Sequence, residues 1–430
     1  MNRKRVSTTN KASLYITDSN KSELDKTAFD TSRRNFFRAG AVGGLSLLGG
    51  VKLANAAETV MLPFANGERR MVTFPQKRPL IVLTERPVQL ETPFSVFNEG
   101  VITPNDAFFV RWHLAGVPTS VDAATHRIKV SGRVRKELSL SIADLQRDFE
   151  PVELTAVLQC AGNSRGLFNP RVAGGQWANG AMGNARWKGA RLRDILNKAG
   201  VENDAVQVKF NGLEGPVLPA TPDFRKALNM DTVMNPDVLV AYSMNGQPLP
   251  LLNGYPVRLI VPGWYGTYWV KMLSDVEVLN QVDETFWMKP AYRIPDNDCA
   301  CMEPGEKGVS TVPINRYSIR SFVTNFADGA RVHPGQHVAK GVAFDSGHGI
   351  TRVLFSAYGG KNWSDARLGK DYGKYSFRQW EAPFHAQAGH SYEIACMAMN
   401  TIGETQRLTP RWNPGGYMRN VVEIVRVKTA

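Results

Sequence analysis

Residues 152–165 read VELTAVLQCAGNSR, and the interpretation of the chain starts there. Val152–Leu158 is a β-type run, and Cys160 follows it at the head of a turn of small residues, Ala161-Gly162-Asn163-Ser164. Such a turn leaves a sulfur accessible, and Arg165, five residues on, brings a guanidinium that favours thiolate. A thiolate here serves as a nucleophile or as a ligand to a soft metal. The plain alternative is a buried, inert thiol. No histidine lies close by in sequence to act as its base.

Outward from this stretch, the first half of the chain mixes short strands with Gly/Pro/Asn turns and a few helices. Ala123–Gly132, Val206–Phe210 and Arg258–Val261 read as strands, and Ile142–Phe149 and Ala190–Ala199 as short amphipathic helices. The pattern predicts an α+β fold with mixed or antiparallel sheets. No GxGxxG in a βαβ unit and no GxxxxGK[ST] appears, so dinucleotide-fold and P-loop chemistry are unsupported. Cys299–Val312 is a Cys/Pro/Gly-rich connector. Beyond it come short strands at regular spacing: Ser318–Val323, His337–Phe344, Thr351–Ala357, Ser391–Met397 and Val421–Val427. These predict an immunoglobulin-like β-sandwich. The expected domains are 57–305 and 306–430.

The 430 residues are 43% hydrophobic with only 4 Cys, which excludes a disulfide-stapled miniprotein, a coiled coil and a disordered chain. The formal charge of +13 is partly local: ten Lys/Arg and four acids fall in the first 56 residues, leaving +7 on the other 374. No long basic run remains, so nucleic acid is not the expected partner, whereas an anionic substrate fits. Ser32-Arg33-Arg34-Asn35-Phe36-Phe37-Arg38, a weakly apolar stretch Ala39–Leu53 and Ala54-Asn55-Ala56 read as a twin-arginine export signal spanning 1–56. That predicts a periplasmic protein without a membrane span after cleavage. Cys299 and Cys301 are spaced too closely for the usual unstrained bridge. With no CxxC and seven scattered histidines, no zinc site is predicted.

Three further clusters carry charge or aromatics. In Phe108-Phe109-Val110-Arg111-Trp112-His113, a strand places Arg111 and His113 on one face, suited to an oxyanion-bearing ligand. The Gly/Pro-dense stretch from Asn245 to Lys271 offers Arg258 and Lys271. In Phe286-Trp287-Met288-Lys289-Pro290-Ala291-Tyr292-Arg293 the aromatics read first as core.

Taken together, FVRWH, LQCAGNSR, ARWKGARLRDIL, AYSMNGQPLP, NGYPVRLIVPG and RWNPGGYMRN resemble the sulfite oxidase family of molybdenum enzymes, and WYGTYWVKM with the twin-arginine leader resembles its bacterial exported sulfite dehydrogenases. The resemblance implies a molybdopterin-binding domain followed by a dimerisation domain. It makes Cys160 the thiolate ligand of molybdenum and Arg111 the oxyanion-binding arginine. It makes Arg165 a second substrate-side arginine, with Ser164 where the family carries another arginine. Tyr292 matches the active-site tyrosine. Phe109, Val110, Arg111, His113, Asn253, Arg258, Trp269, Val270 and Lys271 match the pterin-binding set, the last pair of neutral residues through backbone. Asn253 stands where animal members have histidine. Gly415 occupies the family's C-terminal arginine position, and Arg419 is expected to substitute. The implied reaction is sulfite to sulfate, with no haem in this chain and a c-type cytochrome or haem subunit as acceptor, in a homodimer or heterodimer formed through the C-terminal domain. The rival is a sulfane dehydrogenase subunit of a thiosulfate-oxidising complex. An S-oxide reductase and a non-enzymatic binding protein are the further alternatives.

Overall fold

The computed structural model describes residues 58–62 and 66–430; the expected leader, 1–56, lies outside them. The run that leads to Cys160 folds as the strand Pro151–Gln159, paired antiparallel with Met182–Arg191 in a four-stranded sheet. Its first half alternates in exposure, as a strand with one wet face must. Ala156 to Gln159 are all buried, because the C-terminal part of the chain closes over them: the Val157 N–H donates to the Tyr375 carbonyl at 2.9 Å.

The helix expected from Ala190 begins at Leu192, since Ala190 and Arg191 are still registered in the sheet against Val240 and Leu239. From there Leu192, Ile195, Leu196 and Ala199 form the buried stripe of an amphipathic helix. Gly200 ends it at φ 70 and donates to the Leu196 and Asn197 carbonyls. The helix Ile142–Asp148 starts on a reciprocal capping box between Ser141 and Asp144.

A second sheet runs in the order Arg225–Asn229, Gln207–Gly212, Leu273–Leu279, Ile128–Gly132, Leu138–Leu140. Only the Leu273–Leu279/Ile128–Gly132 pair is parallel, so the sheet is mixed. The strand expected from Ala123 starts at Ile128. Asp122 holds the preceding residues in a turn through the Ala124 and His126 N–H groups. A third, antiparallel sheet of five strands, from Thr59–Leu62 to Val110–Arg111, was not foreseen from sequence; its Val88–Glu91 strand pairs with Val110–Arg111.

The C-terminal part is the predicted β-sandwich, with four strands facing five across a core that includes Val353, Trp380, Phe384, Ile394 and Val427. The module before it is α+β, as expected. The two are not separated by water: Phe322, Phe344 and Phe377 of the sandwich belong to the same buried cluster as Phe97 and Tyr265, and Phe377 meets Phe97 edge-on at 5.9 Å. Cys299 and Cys301 are bridged despite their spacing. Ala300 between them takes φ 46, and that turn brings their Cα atoms to 5.0 Å. No helix among the described residues is long and apolar enough to cross a membrane.

Candidate active site

One cavity brings together eight of the sequence-chosen residues: Phe109, Arg111, His113, Cys160, Asn253, Arg258, Lys271 and Tyr292. Each arrives by a different route. Cys160 lies one residue past its strand, and the turn is held by backbone alone on the thiol side: Cys160 N–H donates to Ala181 O at 2.9 Å and Asn163 N–H to Cys160 O at 3.0 Å. The Asn163 carboxamide oxygen accepts from Ala181 N–H at 3.0 Å, closing the loop onto segment 177–181. A Cβ on Gly162 would sit 2.5 Å from an Arg165 guanidinium nitrogen, so a larger residue there would push that side chain aside.

Glu91, at the end of the strand beside Arg111's, holds the far side of that segment. It is 1% exposed and accepts from Gly180 N–H at 2.7 Å and Ala178 N–H at 3.0 Å. Burial pushes its carboxyl up to about 7, against the opposing pull of those two N–H groups. The native state therefore keeps this proton between pH 4.5 and about 7 while the unfolded chain releases it. Its contribution to stability is full below that window and is lost as pH rises through it. Subtracting the stability curve of Glu91→Gln from that of the parent should leave a difference that falls by about 3 kcal/mol across the window, read by urea unfolding. A flat difference would count against a buried, proton-retaining Glu91.

Arg111 ends its strand, so His113 does not share a strand face with it. Instead Glu214 positions the histidine, accepting the His113 N–H at 2.9 Å and the Leu114 N–H at 3.0 Å. The imidazole stacks on Phe224 at 3.4 Å between centroids, and its Nε2 lies 2.8 Å from the Tyr292 hydroxyl. Burial, then the charges of Arg111, Lys271 and Lys226, hold His113 well below its ordinary range, so it is neutral. A Glu214 carboxylate oxygen 3.5 Å from Nδ1 favours the proton there, leaving Nε2 to accept from Tyr292. Tyr292 sits at φ 57, a left-handed conformation that a bulky residue adopts only under constraint. Ile314 N–H fixes its carbonyl at 2.8 Å, and Tyr417 from the C-terminal part stacks on its ring at 5.5 Å. Burial raises the Tyr292 hydroxyl far above the ordinary phenol range, so it stays protonated.

The other choices fall behind or outside the cavity. Val110 is buried and does not line it. Trp269 and Val270 have no free backbone donor: their N–H groups already bond to Gly266 O at 3.1 Å and Tyr268 O at 3.0 Å, and Trp269 O accepts from Arg258 at 2.9 Å. Arg165 lies one ring away from Tyr292, donating to Gly415 O at 3.0 Å with its guanidinium 5.0 Å over Tyr417. Arg419 requires correction. It does not line the cavity, because Glu423 four residues on takes its guanidinium at 2.8 Å and Leu167 O at 3.3 Å takes the remainder. What the C-terminal segment contributes is Tyr417 and the Gly415 carbonyl. Sequence reading also missed Glu91, Glu214, Thr267 and Gly266.

The electrostatics ask for an anion. Arg258 Nε, Arg111 Nη1 and Thr267 Oγ1 are buried with no hydrogen-bond partner. Burial pulls Lys271 down to about 8, with the Glu214 charge opposing, and Arg258 down to about 9. Glu214, 3.9 Å from Lys271, is the one carboxylate in ion-pair range of these three cations among the described residues. No cluster of three or more His, Cys, Asp or Glu residues among them is arranged to hold a metal ion. A single thiol facing orphaned cationic donors fits a metal whose other ligands come from an anionic organic cofactor.

Residues 113–287 match the family model described as an oxidoreductase molybdopterin binding domain, and 311–430 match the Mo-co oxidoreductase dimerisation domain. Sulfite oxidase of Gallus gallus is 34% identical over 381 residues, covering 85% of this chain and 80% of that protein. Mitochondrial sulfite oxidase of Homo sapiens is 34% identical over 372 residues, covering 82% of this chain and 66% of that protein. Among solved structures, the sulfane dehydrogenase SoxCD from Paracoccus pantotrophus matches with a TM-score of 0.69 and 26% identity, covering 80% of this chain and 86% of that chain. Fold, cavity and matches together define a molybdopterin-binding oxidoreductase. The chain belongs to the sulfite oxidase family.

Proposed function

We propose that the protein oxidises sulfite to sulfate at a molybdenum–pterin centre and passes the electrons to a c-type cytochrome. The observation that carries this is Arg111 meeting the Cys160 thiol in one cavity with a buried guanidinium nitrogen left unpaired. When bound, the molybdenum cofactor supplies the two-electron oxidation and releases the electrons singly. The chain's part is position and field. Cys160 would hold the metal as thiolate. Arg111 would bind the substrate oxyanion through a fork that never loses its charge. Arg258, Lys271 and Thr267 would hold the anionic end of the pterin. Tyr292, protonated and bonded to neutral His113, would present a fixed hydroxyl to the substrate side.

The sequence carries no CxxCH, so the electrons are assigned to a second protein. The leader reading makes that partner periplasmic, and the dimerisation module is the surface through which a copy or a haem subunit would pair. The second reading, sulfane dehydrogenation within a thiosulfate-oxidising complex, draws on the likeness to SoxCD. Mo-loaded protein given sulfite and ferricytochrome c, with no carrier protein, should reduce the cytochrome. Full molybdenum content without turnover would overturn the sulfite reading in favour of the second.

A further inference from the structure

Lys77 lies upstream of both matched family segments, yet its ammonium reaches the cavity wall. It is 5% exposed, and among the described residues no carboxylate lies in ion-pair range of it. Its three N–H groups meet three neutral oxygens: Asn105 O at 2.6 Å, Phe108 O at 3.0 Å and the side-chain oxygen of Asn253. Burial pulls the ammonium down to about 7, with the charge of Asp106 opposing. A buried cation is costly to keep without a carboxylate partner.

Asn253 is the residue so held, and it lines the cavity while 2% exposed. Its carboxamide oxygen is taken by Lys77, and one hydrogen of its Nδ2 goes to Phe109 O at 3.0 Å. Its backbone carbonyl accepts from Arg258 at 2.8 Å. An asparagine normally has two orientations that exchange donor and acceptor. Here Lys77 on the oxygen and the Phe109 carbonyl on the nitrogen both oppose the flipped one, which would set Lys77 against an NH₂ group and oxygen against oxygen.

We infer that Lys77 is a positioning residue that locks the Asn253 carboxamide so that its uncommitted group on the cavity wall is an N–H, making that wall a donor to an anionic part of the cofactor. The inference rests on the cofactor reading above. It assigns the wall's polarity to a residue outside the matched family segments.

The test measures molybdenum and released pterin per folded chain, alongside thermal melting, with no sulfur substrate present. Asn253→Asp keeps the link to Lys77, now as an ion pair, but turns the wall into a pure acceptor. It also sets a carboxylate oxygen against Phe109 O, so it should melt below the parent, and per folded chain it should retain about tenfold less cofactor. Lys77→Met leaves the Phe109 carbonyl alone to orient the carboxamide and should also retain less cofactor per folded chain. Parent-level loading of Asn253→Asp would overturn the inference. So would losses in either variant that match the loss of folded protein, since a mere structural brace predicts that. A parent protein that takes up neither molybdenum nor pterin would overturn the cofactor reading and this inference with it. Normal parental loading with unchanged variants overturns the inference alone.

Discussion

Cys160→Ser is expected to eliminate molybdenum-dependent oxidation and leave the fold intact. Serine offers a hard hydroxyl oxygen where the site offers a sulfur that suits a soft ion. The turn around it survives because its bonds to Ala181 and Asn163 use backbone and the Asn163 carboxamide, never the thiol. Groups that merely support a metal ligand lose about 10- to 100-fold on mutation, so removal of the proposed ligand itself should exceed about a hundredfold. Turnover per chain and metal content are the measurements, with melting as the control. Retained turnover at normal metal content would remove Cys160 from the reaction.

Arg111→Gln should raise the KM for the oxyanion substrate by about tenfold or more, a charge-assisted contact contributing about 1.5–3 kcal/mol. Arg111 pairs with Gln89 through backbone, so the strand should persist without the guanidinium. Its Nη1, buried and unpartnered, is the group that the substitution removes. The KM effect should exceed the effect on melting temperature in energetic terms. An unchanged KM would show that the oxyanion sits elsewhere.

The parts of the site that sequence made legible are those carried by local strings. Cys160 in its small-residue turn, Arg111 with His113, and Arg258 with Lys271 stand in recognisable stretches, and folding brought them to one cavity. The parts that stayed hidden depend on contacts between distant segments. A buried carboxylate such as Glu91 or Glu214 looks like any surface acid until the N–H groups it serves, up to 101 residues away in the case of His113, are in place. Lys77 is hidden for the same reason, 176 residues from Asn253. Arg419 did carry a warning: Glu423 at i+4 is the spacing of an intrahelical or local ion pair, and here it neutralises the guanidinium outside any helix. The start of the helix at Leu192 was obscured because ARLRDIL satisfies both periods, and only the strand partner Leu239–Val240 decides where one ends. The sandwich was legible because alternation every two residues survives without knowledge of the partner sheet.

The stacking of Tyr417 on Tyr292, with Gly415 gripping Arg165, means that the rear part of the polypeptide braces one wall of the cavity from behind. Chimaeras spliced between family members at the connector would mismatch that wall unless residues 413–418 travel with the front half. Lineages that remodel how their subunits assemble must therefore either spare this short tongue or retune the chemistry as they do so.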